Sequence, residues 1–180
     1  MFAGKMAVAA AAVEEEDDRY RTVVKTFIAE RLRQNHLVVP GYEPAARTEH
    51  EHRVFKVAAT LRRVGDELEA SNSQFFHQMF HQIHITPNTV YSTFKGIADE
   101  IFISGKNWGR IVAFLTFGST LAVHCANRSD LGPAYVDRVV SWVSKYMTSH
   151  LSPWMKQNGD WVSKSVICFH GFYNPAFTPK

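Results

Sequence analysis

The sequence predicts an all-α bundle, and three observations carry that reading. Apolar residues recur at helical spacing through most of the chain. Pro and Gly are sparse and sit at segment boundaries, where they stop helices. One segment, "WGRIVAFLTFGSTLAVHCA" (108–126), is apolar or small at nearly every position, the pattern of a helix buried on all sides. With 46% hydrophobic and 13% aromatic residues, 180 residues can fill one sizeable core, so a single domain is expected.

Helices are predicted near 18–34, 51–70, 74–82, 88–103, 107–126, 133–148, 153–158 and 160–170. Before the first stands "MFAGKMAVAAAAVEEEDD", whose apolar run is short, alanine-rich and followed directly by acids. Residues 1–17 therefore read as a disordered lead-in rather than a signal peptide. The main loop is "NHLVVPGYEPAART", where Pro40, Gly41 and Pro44 prevent helix continuation.

In the 51–70 segment, Val57, Leu61, Val64 and Leu68 fall on one helical face, an ordinary core-facing stripe on spacing alone. Gly65 costs about 1 kcal/mol relative to Ala in a helix, which implies that another backbone approaches closely there. Asp66 follows at the edge of the stripe. The 88–103 segment is apolar along two lines, Val90, Phe94, Ile97 and Ile101, and Tyr91, Ala98 and Phe102. One line can pack on the central helix. The other could floor an exposed trough walled by Phe75, Phe76, Met79 and Phe80, although all of these residues could equally be core.

The central helix carries a problem. Arg110 stands one turn inside it, and a buried guanidinium, which stays charged, needs a carboxylate or a route to water. Asn107 can cap this helix. The segment 133–148 places Val136, Val139, Val140, Val143 and Met147 on one stripe, which should lie against the central helix as a hairpin. In "SPWMKQNGDW", Ser152 is a candidate N-cap with Pro153 at the first helical position. Gly159 can take a left-handed stop, and Asp160 can cap the next helix.

Several function classes find no support. A net charge of +3 without a basic block gives no nucleic-acid signal. The two cysteines, Cys125 and Cys168, form no disulfide framework and suit a reducing compartment, where the "NRS" at 127–129 would meet no glycosylation machinery. No uncharged apolar run of about 18 residues exists; 108–126 comes nearest but is interrupted by Arg110 and His124. There is no phosphate loop, paired-carboxylate motif or nucleophile elbow, so no enzyme and no cofactor is expected. His124 and Cys125 form no dyad, because adjacent helical residues point about 100° apart. His77, His81 and His84 share a helical spacing but lack nearby ligands to complete a metal site, and read as ordinary histidines.

Four stretches carry a resemblance. "SGKNWGRIVAFLTFG", "HLSPWMKQNGDW", "LRRVGDEL" and "RYRTVVKTFIAERL" resemble the first, second, third and fourth homology regions of the Bcl-2 family of apoptosis regulators, and "HITPNTVYSTF" is similar to that family too. The resemblance runs from about Arg19 to Phe169. It implies one Bcl-2-like helical domain over 18–170, with a central apolar hairpin, amphipathic helices around it and a surface hydrophobic groove. Residues 171–180, with Pro175 and Pro179, would be an extension without the membrane tail that many members carry.

The resemblance also implies a site. A visiting amphipathic helix with its own Leu-x-x-x-Gly-Asp would bring its Asp to Arg110, with Asn107 bonding nearby and Gly109 allowing close approach. Phe76, Met79, Ile97, Ile101, Ala113 and Phe117 would line apolar pockets, with Glu100 at the rim. Val57, Leu61, Val64, Gly65, Asp66 and Leu68 would form the chain's own death-motif helix. Trp108, Trp154 and Trp161 are read as core residues.

The family divides into survival members, which capture death-motif helices of pro-apoptotic relatives, and pore-forming members. Val23, Val24, Phe27, Ile28, Arg31 and Leu32 look like the survival-type fourth region. "GIADEIFISG" and Val162 look like pore formers, and Lys164 and Cys168 stand where apolar or aromatic residues are expected. The implied reading is a survival-type regulator, cytoplasmic and associated with the mitochondrial outer membrane, with a pore-forming effector as the alternative. Dimerisation by exchange of the 51–70 helix stays open.

Overall fold

A computed structural model describes residues 2–42, 49–71 and 85–159, with side chains at 18–42, 56–70 and 85–159. The described residues form helices α1 (Phe2–Gln34), α2 (Glu49–Ser71), α3 (Val90–Phe102), α4 (Trp108–Ala126), α5 (Ala134–Tyr146) and α6 (Ser152–Gln157), with a π turn, Met147–Leu151, between α5 and α6. No strand occurs among them. The expected helices 74–82 and 160–170, with Asp160 and Trp161, lie outside the described residues.

Helix α4 is the hub. Ile111 through Ser119 are buried without a break, followed by Leu121, Ala122 and Cys125. It contacts α1, α2, α3 and α5, so every side has a neighbour. Two of its hydroxyls are served within the helix: Ser119 and Thr120 donate to the Thr116 carbonyl at 2.8 and 3.0 Å. By length and composition α4 could cross a membrane, yet 67% of its apolar window is buried inside the domain.

Helix α1 begins at Phe2, so the alanine-rich segment is helical where a disordered lead-in was expected. Alanine has the highest intrinsic helix propensity, and this run adjoins a helix already anchored by packing. The anchor is a stripe of Tyr20, Val23, Val24, Phe27, Ile28 and Leu32, all buried. The helix ends in a two-bond left-handed cap. His36 takes φ 57°, its N–H donates to the Arg33 carbonyl at 3.0 Å, and the Leu37 N–H donates to the Leu32 carbonyl at 3.0 Å. The following loop is pinned rather than free. Val39 and Tyr42 are buried, and the Tyr42 hydroxyl donates to Asp137 of α5 at 2.7 Å. Burial, reinforced by that carboxylate, pushes the Tyr42 phenol well above its ordinary pKa.

The α5 stripe is as expected: Val136, Val139, Val140, Val143 and Met147 are all fully buried. The next segment differs. Instead of a break capped by Ser152, the chain stays helical, and the Ser152 N–H donates five residues back to the Met147 carbonyl. Ser152 is buried inside α6, and Pro153, which has no N–H to give, follows in its first turn. The wider turn has a packing reason. Val143, Met147, Leu151 and Met155 are spaced every four residues and all are fully buried. In a pure α-helix that spacing drifts by about 40° per step, and a π turn takes up the drift. Gly159 has φ 89°, the left-handed stop foreseen for it.

Two glycines in helices face opposite situations. A Cβ on Gly118 of α4 would lie 2.7 Å from Val143 Cγ2, whereas one on Gly96 of α3 would meet nothing within 4 Å. Val143 is fully buried and branched at Cβ, so it cannot swing aside. Gly118→Ala should therefore destabilise the domain by about 1–3 kcal/mol despite its better helix propensity. Val143→Ala in the same chain should recover part of the loss relative to the sum of the two single changes. Gly96→Ala should stabilise by up to about 1 kcal/mol. Thermal or denaturant melts of the four variants read both effects.

Candidate partner-binding site

The site begins with the way α4 starts. Asn107 has an extended backbone, and its Oδ1 accepts from the Arg110 N–H at 2.8 Å, the cap expected from the sequence. That bond commits Oδ1 and leaves the amide donors of the exposed Asn107 without a bond among the described residues. Gly109 is also exposed. A Cβ there would meet only Asn107 Oδ1, at 3.4 Å, so no internal packing demands glycine at this position.

Arg110 is half-buried, and its Nη1 donates to the Gly105 carbonyl at 2.7 Å. Among the described residues no carboxylate lies within salt-bridge distance of it. The cation at the head of the buried helix is thus held by a neutral acceptor.

Helix α3 ends three residues before Gly105, the residue that holds this cation. Its most buried line is Val90, Phe94 and Ala98, which mixes the two lines drawn from the sequence. Ile97 and Ile101 are half-buried against the core edge, and Glu100 is exposed. On the opposite flank α3 leans on α5 through aromatics. Tyr91 meets Trp142 at 5.1 Å, Phe94 meets Trp142 at 5.8 Å and Phe102 stacks on Tyr146 at 5.9 Å. The Tyr146 hydroxyl donates to Asp99 at 3.1 Å; burial first, then that carboxylate, pushes its phenol up to about 12. Underneath, Phe117 is 1% exposed and stacked on Phe94 at 6.1 Å, while Ala113 is 8% exposed. Ala113 and Phe117 thus belong to the buried face of α4, while Ile97 and Ile101 pack at the edge of the core. Phe76 and Met79, with Phe75 and Phe80 and the three histidines His77, His81 and His84, lie outside the described residues.

The chain's own Leu-x-x-x-Gly-Asp helix, α2, is used internally. Leu61 is fully buried and Ala58 nearly so, with Val57 and Val64 half-buried beside them against the core and Leu68 also half-buried. The buried line thus runs through Ala58, Leu61 and Gly65, turned from the stripe drawn on spacing. The close approach at Gly65 comes from a side chain rather than a backbone. A Cβ there would sit 2.6 Å from Thr116 Oγ1 of α4. Asp66 pairs with Arg31 of α1 at 3.2 Å, Arg31 also bonds Glu69, and Arg62 reaches Glu30 at 2.7 Å. Full burial of a Leu is worth about 1.5–3 kcal/mol and a partly exposed ion pair about 0.2–1 kcal/mol, so apolar contact holds α2 and the ion pairs set its register.

Sequence reasoning missed two partners. It did not foresee that Arg31 takes Asp66, although a cation inside the α1 apolar stripe was a usable signal. It did not foresee Gly105 either, because no spacing rule links a side chain to a carbonyl five residues back. Trp108 and Trp154, half-buried, meet edge to face at 5.6 Å, as expected of core residues.

The chain is similar to proteins of known family. The family model described as "Apoptosis regulator proteins, Bcl-2 family" matches residues 61–161, more than half of the chain. The chain is 42% identical over 109 residues to "Bcl-2-like protein 1" of Gallus gallus, covering 61% of this chain and 47% of that protein. It is 37% identical over 123 residues to "Apoptosis regulator Bcl-2" of Canis lupus familiaris, covering 68% of this chain and 49% of that one. The chain thus spans about half the length of the curated relatives it matches. Among solved structures, that of Trichoplax adhaerens trBcl-2L2 bound to trBak BH3 is similar, with TM-score 0.70 and 36% identity over 79% of this chain and 92% of that one. A buried hub helix headed by Asn107-Trp108-Gly109-Arg110, the helices packed around it and these matches agree: the chain belongs to the Bcl-2 family of apoptosis regulators.

Proposed function

We propose that this protein is a survival-type regulator that captures the death-motif helix of pro-apoptotic relatives and thereby restrains permeabilisation of the mitochondrial outer membrane. The observation that carries the reading is the charge at Arg110. Its guanidinium has no carboxylate among the described residues, while the chain's own Asp66 is already taken by Arg31. In this reading the acceptor that completes Arg110 comes from a partner. An Asp on a visiting helix pairs with it, the Asn107 amide bonds beside it, and the open space over Gly109 admits the partner's backbone.

The apolar anchors of that helix rest on Ile97, Ile101 and Ala113, backed by the buried Phe117, with Glu100 at the rim; Phe76 and Met79, outside the described residues, belong to the same expected set. The Trichoplax relative, whose structure holds a Bak death-motif segment, supports this mode of binding. The relatives named Bcl-2 and Bcl-2-like protein 1 support the survival reading. The protein works without enzymatic chemistry, in the cytoplasm and at the mitochondrial surface. A second reading, a pore-forming effector triggered through the same site, draws on α4, which is long and apolar enough to span a bilayer.

Arg110→Ala should weaken binding of a Bak death-motif peptide by about 2–5 kcal/mol, as expected when one partner of a desolvated pair is truncated. The melting temperature should stay close to that of the unmodified protein, because Arg110 holds only a loop carbonyl. Loss of the folded state would show an internal role instead. Dye release from liposomes carrying the tethered protein separates the two readings. Suppression of a pore-forming relative, reversed by the peptide, is expected. Peptide-triggered release by this protein alone would make it the effector.

A further inference from the structure

We infer that Gly105 is a positioning residue for Arg110: its carbonyl, set by a backbone conformation open to glycine, holds the guanidinium ready for an incoming carboxylate without neutralising it. This role rests on the capture reading above.

Arg110 is tied to the preceding loop at both ends. Its main-chain N–H donates to Asn107 Oδ1 at 2.8 Å, and its Nη1 donates to the Gly105 carbonyl at 2.7 Å. Gly105 itself is fixed to the end of α3, its N–H donating to the Phe102 carbonyl at 3.0 Å. Its φ is 101°, in the region that other residues rarely enter. Packing does not explain this glycine: it is exposed, and a Cβ would meet nothing within 4 Å. What the position needs is the conformation, and the conformation aims the carbonyl.

The choice of acceptor matters. An internal carboxylate would hold the guanidinium as firmly, but a partner would then have to break an ion pair to enter. A carbonyl takes one of five coplanar N–H donors and no charge, leaving the rest of the fork for a two-point grip. A side chain ordered beforehand also loses less freedom when it is gripped.

The test compares Gly105→Ala, Gly105→Asn, Arg110→Ala and the double variant Gly105→Ala/Arg110→Ala. Each is titrated with the Bak death-motif peptide and with its Asp-to-Asn form, and each is melted to verify folding. Gly105→Ala should weaken the Asp peptide about three- to tenfold, the cost of ordering one long side chain on binding. Gly105→Asn should weaken it less, because Asn tolerates positive φ better than Ala. The Gly105→Ala effect should vanish in the Arg110→Ala background and against the Asn peptide. Unchanged affinity for Gly105→Ala, or an equal loss with Arg110 absent, overturns the positioning role while leaving capture standing. No binding by the unmodified protein overturns capture and this role together, whereas no loss in Arg110→Ala overturns the Arg110 pairing and this role while leaving capture standing.

Discussion

The rest of the structure depends on one constraint, the burial of α4 on all sides. A helix whose residues 111–119 all lie out of water exposes no polar face, so every flank must receive another helix. Helices α1, α2, α3 and α5 supply those flanks, each with a single apolar stripe. Close approach sets the geometry. Gly118 lets Val143 of α5 sit against the α4 backbone, and Gly65 lets α2 sit on Thr116. Loss of burial along this helix would loosen all four neighbours at once, because each packs against it.

The same burial makes the head of α4 the natural place for chemistry. Burial begins at Ile111, immediately after Arg110, so the helix passes from exposed Asn107 to full burial within one turn. A cation at that boundary is partly desolvated, and its pairing is worth more than on an open surface. It is still within reach of a partner. The loop 103–107 serves both needs: Asn107 closes the helix end, and Gly105 steadies the charge.

Charge is distributed in a second pattern on the other side of the bundle. Arg31, Glu30, Arg62, Asp66 and Glu69 lace α1 to α2, so the acidic end of the Leu-x-x-x-Gly-Asp helix is occupied within the chain. The Leu-x-x-x-Gly-Asp helix is therefore satisfied within the chain, while Arg110 has no carboxylate among the described residues. The proposed capture of an external helix by Arg110 draws on that asymmetry.

Much of this was determined by the sequence alone. Stripes such as Val136 to Met147 fix which face of a helix is buried, because helical periodicity is a local property. The Asn107 cap and the Gly159 stop are likewise settled within a few residues. The Asn107-Trp108-Gly109-Arg110 string pointed to the family before any contact was known. Tertiary structure decided what spacing cannot encode, namely which neighbour a face meets and at what rotation. It turned the α2 stripe toward Ala58 and Gly65 and gave Asp66 to Arg31. It also mixed the two lines of α3 and carried the helix through Ser152 by a π turn that keeps Met147 and Leu151 in the core. These outcomes depend on which residues of distant segments share one small volume, and periodicity along a single helix holds no information about that.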